Sequence, residues 1–463
     1  MDKSTSNRWI GDWNPEDEAF WRSKGRGIAR RNLFWSIVAE NIGFSVWLIW
    51  SVTATRLNKV GFHYTTDQLF QLVAIPGLVG SLMRFPYTFA VPRFGGRNWT
   101  IVSALLILIP TSLLAFLVGR PDTPFWLMAT AAATAGLGGG NFASSMANIS
   151  FFFPDREKGW ALGLNAAGGN IGVSTVQLLV PILIGYSFIN LGMATPHGKP
   201  PIYLQNAGLM WMPFILLAAA GAARNMNNLS SARASVRDQL VITGHRHTWI
   251  MAWLYIGTFG SFIGYSAAFP LLIKTQFPSI TIGIAFLGPL VGSLSRPFGG
   301  LLADKIGGAI ITFWNFIAMA AATIGVIYFV GNKDFTGFLV MFLILFVTTG
   351  IGNGSTYRMI PSIFREENLR KARGKGEAGR ALAIKTASIE SGAALGFIGA
   401  IGACGGYFIP SGFGKSIAAT GGPQLALVIY LGFYAVCLAL TWWFYLRRSP
   451  AEAGAPGLAE ARI

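Results

Sequence analysis

GLGGGNFASSMANISFFFPDREKGWALGLNAAGGNIG, residues Gly136–Gly172, decides how this chain folds. Two apolar segments rich in Gly, Ala, Ser and Asn meet at a short charged hinge, Asp155-Arg156-Glu157-Lys158. In water, each glycine inside a helix costs about 1 kcal/mol relative to alanine. In a bilayer, small residues let helix backbones approach closely and form the usual contact surface. Asn141, Asn148, Asn165 and Asn170 fall at membrane depth, where an amide needs a partner or a polar cavity. The stretch reads as two tightly packed transmembrane helices lining something polar. The glycines alone also fit plain helix packing; the asparagines point past it.

Composition agrees. The chain has 463 residues, 52% hydrophobic and only 12% charged, with a mean hydropathy of +0.50. A soluble domain carries about 25% charged residues, so this is an integral membrane protein. The two cysteines, Cys404 and Cys437, lie in apolar runs and exclude a disulfide framework or a cysteine zinc site. The N-terminal residues have no signal-peptide apolar region and are expected to stay in the cytoplasm.

A span needs about 20 mostly apolar residues. Twelve are expected, at 33–56, 67–91, 99–119, 124–153, 159–186, 205–225, 248–273, 280–303, 309–331, 336–363, 383–410 and 424–446. With the N-terminus inside, 26 of the 36 basic residues fall on the cytoplasmic side. That bias sets the orientation, with both termini cytoplasmic. The net charge of +17 is therefore topological, with some attraction to anionic lipid and none implied for nucleic acid. The expected plan is a cytoplasmic segment 1–32, a six-helix half 33–225, a cytoplasmic linker 226–247, a second six-helix half 248–446 and a cytoplasmic tail 447–463. In the first segment Trp9, Trp13, Phe20 and Trp21 are expected along the membrane surface.

The halves repeat each other. Arg84 and Arg296 are each followed eleven residues later by a Gly-Gly pair, Gly95-Gly96 and Gly307-Gly308. The pattern G-x-G-x-G recurs at Gly136, Gly138, Gly140 and at Gly350, Gly352, Gly354. The glycine-rich fifth span is answered by GFIGAIGACGG, Gly396–Gly406. Two parallel six-helix halves, with a site at the midplane between them, are the plan of the major facilitator superfamily. GGLLADKIGG (Gly299–Gly308) is similar to that superfamily's loop motif, and VPRFGGR (Val91–Arg97) is a degenerate copy. The fold class expected is all-α membrane protein of that superfamily.

Three arginines fall within spans away from their last residues: Arg84, Arg296 and Arg358. An intramembrane arginine costs at least ~2.5 kcal/mol and is a functional candidate by default. Arg84 and Arg296 occupy matching positions and should face each other across the pseudo-two-fold axis. Pairing with buried carboxylates is the plain alternative, but only Glu40 and Glu390 lie at depth, both nearer the cytoplasmic end. Two guanidiniums without carboxylates make an anion site, and a planar guanidinium suits a planar oxyanion held bidentately. Phe44, Phe142, Tyr255 and Phe259 belong to the first, fourth and seventh spans, which would line the cavity. Together with the arginines they suggest a flat slot for a small flat anion, although any one aromatic is more often packing.

NFASSMANISFFFP (Asn141–Pro154) and LGLNAAGGNIGVS (Leu162–Ser174) resemble the nitrate/nitrite porter family, and most closely its NarK-type nitrate/nitrite exchangers. So do YTTDQLF (Tyr64–Phe70), FGSFIGYSA (Phe259–Ala267) and DWNPEDEAFW (Asp12–Trp21). The resemblance covers essentially the whole chain. It implies that Arg84 and Arg296 grip the anion, and that Phe142, Tyr255, Asn170 and neighbouring aromatics complete the pocket. It implies that the glycines of spans five and eleven flex as the halves rock: Gly163, Gly168, Gly169, Gly172, and Gly396, Gly399, Gly402, Gly406. Three positions depart from the relatives: Gly399 stands where Ser is frequent, Arg358 where Gln is usual, and Glu40 where an apolar residue is usual.

Glu40 is one turn before Phe44 and about 10 Å from the start of its span at 1.5 Å per residue. Arg358 lies at a similar depth on the tenth span. Two pairings are open: Glu40 with Arg358 across a cytoplasmic gate, or Arg358 with Glu390 as a static pair within one half. Other signals fail. SGFGKS (Ser411–Ser416) lacks the first glycine of a phosphate loop. His245 and His247 lack metal-ligand spacing, and all four histidines are expected in loops.

The function expected is nitrate/nitrite transport by alternating access, as exchange, by a monomer in the bacterial cytoplasmic membrane. No cofactor or metal is expected. Two guanidiniums about 8 Å apart repel by roughly 2 kcal/mol at an effective dielectric of 20. A bound anion cancels that repulsion, so an empty carrier struggles to close. Proton-coupled nitrate symport needs a titratable group on the pathway. A non-transporting nitrate sensor needs a signalling domain, which Arg447–Ile463 does not supply. An enzyme needs a nucleophile–base pair or metal cluster, and the sequence offers neither.

Overall fold

A computed structural model describes residues 8–187, 201–232, 241–447, 458 and 463. The linker stretch 233–240 and most of the tail 447–463 lie outside the described residues.

The chain is built of long helices. Ten helical stretches are long and apolar enough to cross a membrane, among the described residues. Phe125–Phe152 and Leu287–Ile306 are not among those ten, although each is long enough at 1.5 Å per residue. They carry the small polar stretch with Phe142 and, in the second case, Arg296. All twelve expected spans have a helical counterpart, with ends shifted by a few residues. Span 8 runs on to Ile306 and span 10 from Phe335 to Lys371, both past their expected ends.

Local chemistry explains the boundaries. At the hinge, Phe153 and Pro154 are extended, which stops one helix at Phe152 and starts the next at Asp155. Asp155 and Glu157 then lie in a first turn, where the helix dipole favours anions. Thr65 and Gln68 of YTTDQLF form a capping box that opens span 2. Gly95 and Gly307, at matching places in the repeat, have φ of +85° and +111°, which only glycine adopts without strain.

By packing, the chain divides into two compact units. The first holds Met1–Arg233, Gly264–Leu290 and Gly406–Gly421; the second holds Ala234–Ile263, Val291–Gly405 and Gly422–Ile463. Within the first, Gln177 Nε2 donates to the Ser266 carbonyl at 2.6 Å and Gln71 Nε2 to Ser411 Oγ at 3.0 Å. The Gly77 backbone meets that of Gly406 so closely that a Cβ at 77 would lie 2.3 Å from it.

The N-terminal segment differs from its expected place on the membrane surface. Trp21 is 2% exposed, packs on Phe153 and donates through Nε1 to Glu157 at 2.8 Å. Trp13 packs edge-on against Phe152. Trp9–Ile10 pairs in parallel with Asn228–Leu229. The segment is a strap across the hinge end of the first unit. An apolar aromatic face suits a protein groove as well as a lipid interface, and here Phe152, Phe153 and Leu229 supply the groove.

Candidate anion-binding site

In the first unit Arg84 is fully buried and donates through Nε to the Gly139 carbonyl at 3.2 Å. Its guanidinium carbon stands 4.6 Å from the Phe142 ring centroid and 5.4 Å from that of Trp47. Phe44 meets both rings edge-on, at 6.1 and 5.3 Å. A Cβ at position 139 would fall 2.6 Å from the Trp47 ring, so the bare glycine leaves that ring its place. Asn141 and Asn170 are buried, and neither amide has a hydrogen-bond partner on its oxygen or its nitrogen among the described residues. The Tyr87 hydroxyl, three residues along the helix from Arg84, is likewise unpartnered. A buried polar group left without a partner costs about 1–3 kcal/mol. Asn141, Asn170 and Tyr87, in the unit that buries Arg84, are groups whose cost a polar ligand would repay.

In the second unit Arg296 is 5% exposed and its guanidinium lies 5.4 Å from the Tyr357 ring centroid. Tyr357 stands 5.9 Å from Tyr255, which stacks on Phe259 at 5.3 Å and 18°. The Tyr255 hydroxyl donates to Asn353 Oδ1 at 2.9 Å. Span 7 widens into a π-helical turn at Ile256–Gly260, which begins directly after Tyr255 and contains Phe259, and such turns frequently mark functional sites. Span 11 breaks between Gly402 and Gly405 against that turn: a Cβ at 405 would lie 2.4 Å from Gly260 Cα.

Each arginine thus meets aromatic rings within its own unit. Trp47, Tyr357 and Asn353 are additions to the residues expected from sequence. Trp47 follows Phe44 by three residues on the same helix face, a signal available beforehand. Tyr357 and Asn353 have Ala143 and Gly139 as counterparts in the repeat, so internal symmetry concealed them.

The glycines differ among themselves. A Cβ at Gly172 would meet the Asn41 carbonyl oxygen at 2.1 Å, at Gly169 the Glu40 carboxylate at 2.4 Å, and at Gly168 the Ile37 side chain at 2.5 Å. Asn41 Nδ2 and Ser45 Oγ donate to the Gly168 and Gly172 carbonyls, at 2.9 and 2.8 Å, fastening span 1 to span 5. A Cβ at Gly402 would lie 2.4 Å from Tyr255 Cδ1. Gly163 faces open space. Gly396 and Gly399 lie on the same helix as Gly402, Gly376–Gly402.

The gate residues take other partners than expected. Arg358 Nε binds the Asp304 carboxylate, in place of Glu40 or Glu390. The helix of span 8 continues through the loop motif, so Asp304 sits on its last turn beside span 10. Both side chains are about half exposed, at 52% and 47%. Glu40 accepts hydrogen bonds from Ser145 Oγ and Asn165 Nδ2, at 2.5 and 2.8 Å, among spans 1, 4 and 5. Glu390 accepts from Asn368 Nδ2 at 2.6 Å and lies 3.7 Å from His245 Nε2. His247 is part of the helix Arg246–Tyr255 rather than of a loop, with its Nδ1 3.0 Å from the Tyr445 hydroxyl and its Nε2 3.8 Å from Glu367. Among the described residues no group of three or more His, Cys, Asp or Glu is placed to hold a metal ion.

The family model of the Major Facilitator Superfamily matches residues 36–384. The chain shares that fold with solved transporters at low identity. It superposes on the xylose transporter XylE from E. coli with a TM-score of 0.61 at 14% identity, covering 90% of this chain and 99% of that one. It is 46% identical over 455 residues to the nitrate/nitrite transporter NarU of Salmonella typhimurium, covering 96% of this chain and 98% of the relative. It is 37% identical over 463 residues to the probable nitrate/nitrite antiporter NarK2 of Thermus thermophilus, covering 97% and 99%. The chain is a multi-pass membrane protein of the Major Facilitator Superfamily and belongs, within it, to the nitrate/nitrite porter family.

Proposed function

We propose that this chain moves nitrate and nitrite across the bacterial cytoplasmic membrane by alternating access, and that it works as an exchanger. Both termini face the cytoplasm in this reading. The moving parts are the six-helix halves 33–225 and 248–446 of a single monomer, and no cofactor or covalent step is involved. The observation that carries it is the pair Arg84 and Arg296, each buried against aromatic rings at matching positions of the repeat. The names of the relatives, nitrate/nitrite transporter and probable nitrate/nitrite antiporter, agree with it.

The chemistry follows from the side chains. Nitrate and nitrite are small, flat and singly charged, and a guanidinium can bind two of their oxygens at once. Phe142 and Trp47 beside Arg84, and Tyr357 beside Arg296, exclude water and strengthen the attraction between cation and anion. Asn170 offers a neutral donor, and Tyr255, whose hydroxyl donates to Asn353, supplies a ring to the slot. With no anion present the two guanidiniums repel one another, which opposes closure of the empty carrier. Return then requires a second anion, and the result is exchange. The glycine contacts between spans 1 and 5, and between spans 7 and 11, keep helices close enough to slide during the change.

Proton-coupled symport is a second reading, and buried Glu40 is the observation in its favour. One experiment separates the two. Proteoliposomes containing the protein should take up labelled nitrate when preloaded with nitrite, and should do so equally with and without a pH gradient. Uptake into empty vesicles that is driven by the gradient would establish symport. No uptake under either condition would overturn transport.

A further inference from the structure

Asn353 lies on span 10, is fully buried, and uses its amide unevenly. Its Oδ1 accepts the Tyr255 hydroxyl at 2.9 Å. Its Nδ2 is buried with no hydrogen-bond partner among the described residues. Such an amide is rare, because an unpaired buried donor is costly and native interiors seldom leave one. An acceptor that the protein itself does not supply, such as a ligand oxygen, would repay that cost. The residue is also joined to the rest of the second unit's site. Tyr255, its partner, stands 5.9 Å from Tyr357, and Tyr357 lies 5.4 Å from the Arg296 guanidinium. The packing leaves the pair little freedom: a Cβ at Gly402 would strike the Tyr255 ring, and one at Gly352, beside Asn353, would strike Asn315 and Thr258.

We infer that Asn353 donates its Nδ2 hydrogen directly to the transported anion, and that this contact favours the three-oxygen anion over the two-oxygen one. The inference rests on the anion-transport reading of the site. A guanidinium held bidentately occupies two oxygens of a planar oxyanion. Nitrate then has a third oxygen for a neutral donor, whereas nitrite has only its nitrogen lone pair, a poorer acceptor. A neutral amide at that place adds discrimination without adding charge. Asp at position 353 would keep the acceptor that Tyr255 uses while turning a lone pair toward the anion.

The test measures nitrate and nitrite binding to purified protein by ligand-dependent thermal stabilisation, and KM for each in counterflow. Asn353→Ala should weaken nitrate about tenfold, the worth of one neutral hydrogen bond, and nitrite at most about threefold. Asn353→Asp should abolish nitrate binding, with a lower ligand-free melting temperature because it buries a carboxylate. Asn353→Ser, which retains a short donor, should fall between wild type and Ala, and it replaces the Ala variant if that one does not fold. Asn353→Ala combined with Tyr255→Phe should bind more weakly than Tyr255→Phe alone. If the double variant is no weaker, Asn353 acts only by positioning Tyr255 and the inference is overturned. Equal losses for nitrate and nitrite would overturn it too, as would near-normal nitrate binding in Asn353→Asp. Wild-type protein that bound neither anion would overturn the transport reading itself, and this inference with it.

Discussion

Replacing Gly402 by alanine adds one methyl group at the place where span 11 breaks. Its carbon would lie 2.4 Å from Tyr255 Cδ1 and 3.1 Å from Cγ. Ordinary carbon–carbon contact is about 3.5 Å, so the ring must retreat by roughly 1 Å. It cannot do so freely, because it stacks on Phe259 and its hydroxyl is tied to Asn353 at 2.9 Å. Overpacking of this kind costs about 1–3 kcal/mol. Where the strain is relieved by moving Tyr255, it appears as lost anion affinity, about 5- to 140-fold at 1.4 kcal/mol per tenfold. The assay is nitrate counterflow in proteoliposomes, with KM read separately from maximal rate. Gly163→Ala is the control: it faces open space, so it should transport normally and melt at or slightly above the wild-type temperature. Wild-type KM and rate in Gly402→Ala would refute the claim that this glycine exists to seat Tyr255.

Other outcomes follow from the same geometry. Gly172→Ala should be the worst of the fifth-span substitutions, because its methyl meets backbone, the Asn41 carbonyl at 2.1 Å, whereas that of Gly168→Ala meets a side chain, the Ile37 Cγ2 methyl; relative melting temperatures in detergent test the order. Asp304→Asn should cost less than about 1 kcal/mol, since its pair with Arg358 is half exposed, and a loss several times larger would mean the pair is part of a coupled network. Burial holds the His247 imidazole below its ordinary value, against the pull of Glu367 and together with the cations Arg246 and Arg370 and the neighbouring His245; Tyr445 accepts or donates beside it. The unfolded chain therefore takes up this proton first, so its contribution to stability is complete above about pH 6.5 and is lost as pH falls below that. The melting temperature of His247→Gln should then drop less than that of wild type between neutral and acid pH, and parallel drops would remove His247 from the account.

Much of this was legible in the residues. The long apolar runs mark the spans, since a bilayer imposes both length and hydrophobicity. The two arginines stand out because charge inside a membrane is costly. The glycines of span 5 announced close contact, and Gly168, Gly169 and Gly172 make it. What stayed hidden needed distances. Trp13 and Trp21 form an aromatic face that a membrane and a protein groove satisfy equally, so only the presence of Phe152 and Phe153 decides between them. The carboxylates at the expected depth of Arg358 are Glu40 and Glu390, whereas a helix three residues longer brings Asp304 to it. Asn353 escaped because its counterpart in the first half is Gly139, where no side chain hints at a role. Glu40 was visible as an oddity, but its neighbours Ser145 and Asn165 are over a hundred residues away.

The central claim is that Arg84 and Arg296 hold the anion by the shape of the guanidinium and not by charge alone. Nitrate binding to purified Arg84→Lys and Arg296→Lys, measured beside counterflow at equal reconstitution, tests it most directly. Lysine keeps the charge but not the planar fork. The account predicts that each variant stays folded, loses nitrate-dependent stabilisation and shows no counterflow. Near-normal binding and exchange in both lysine variants would contradict it.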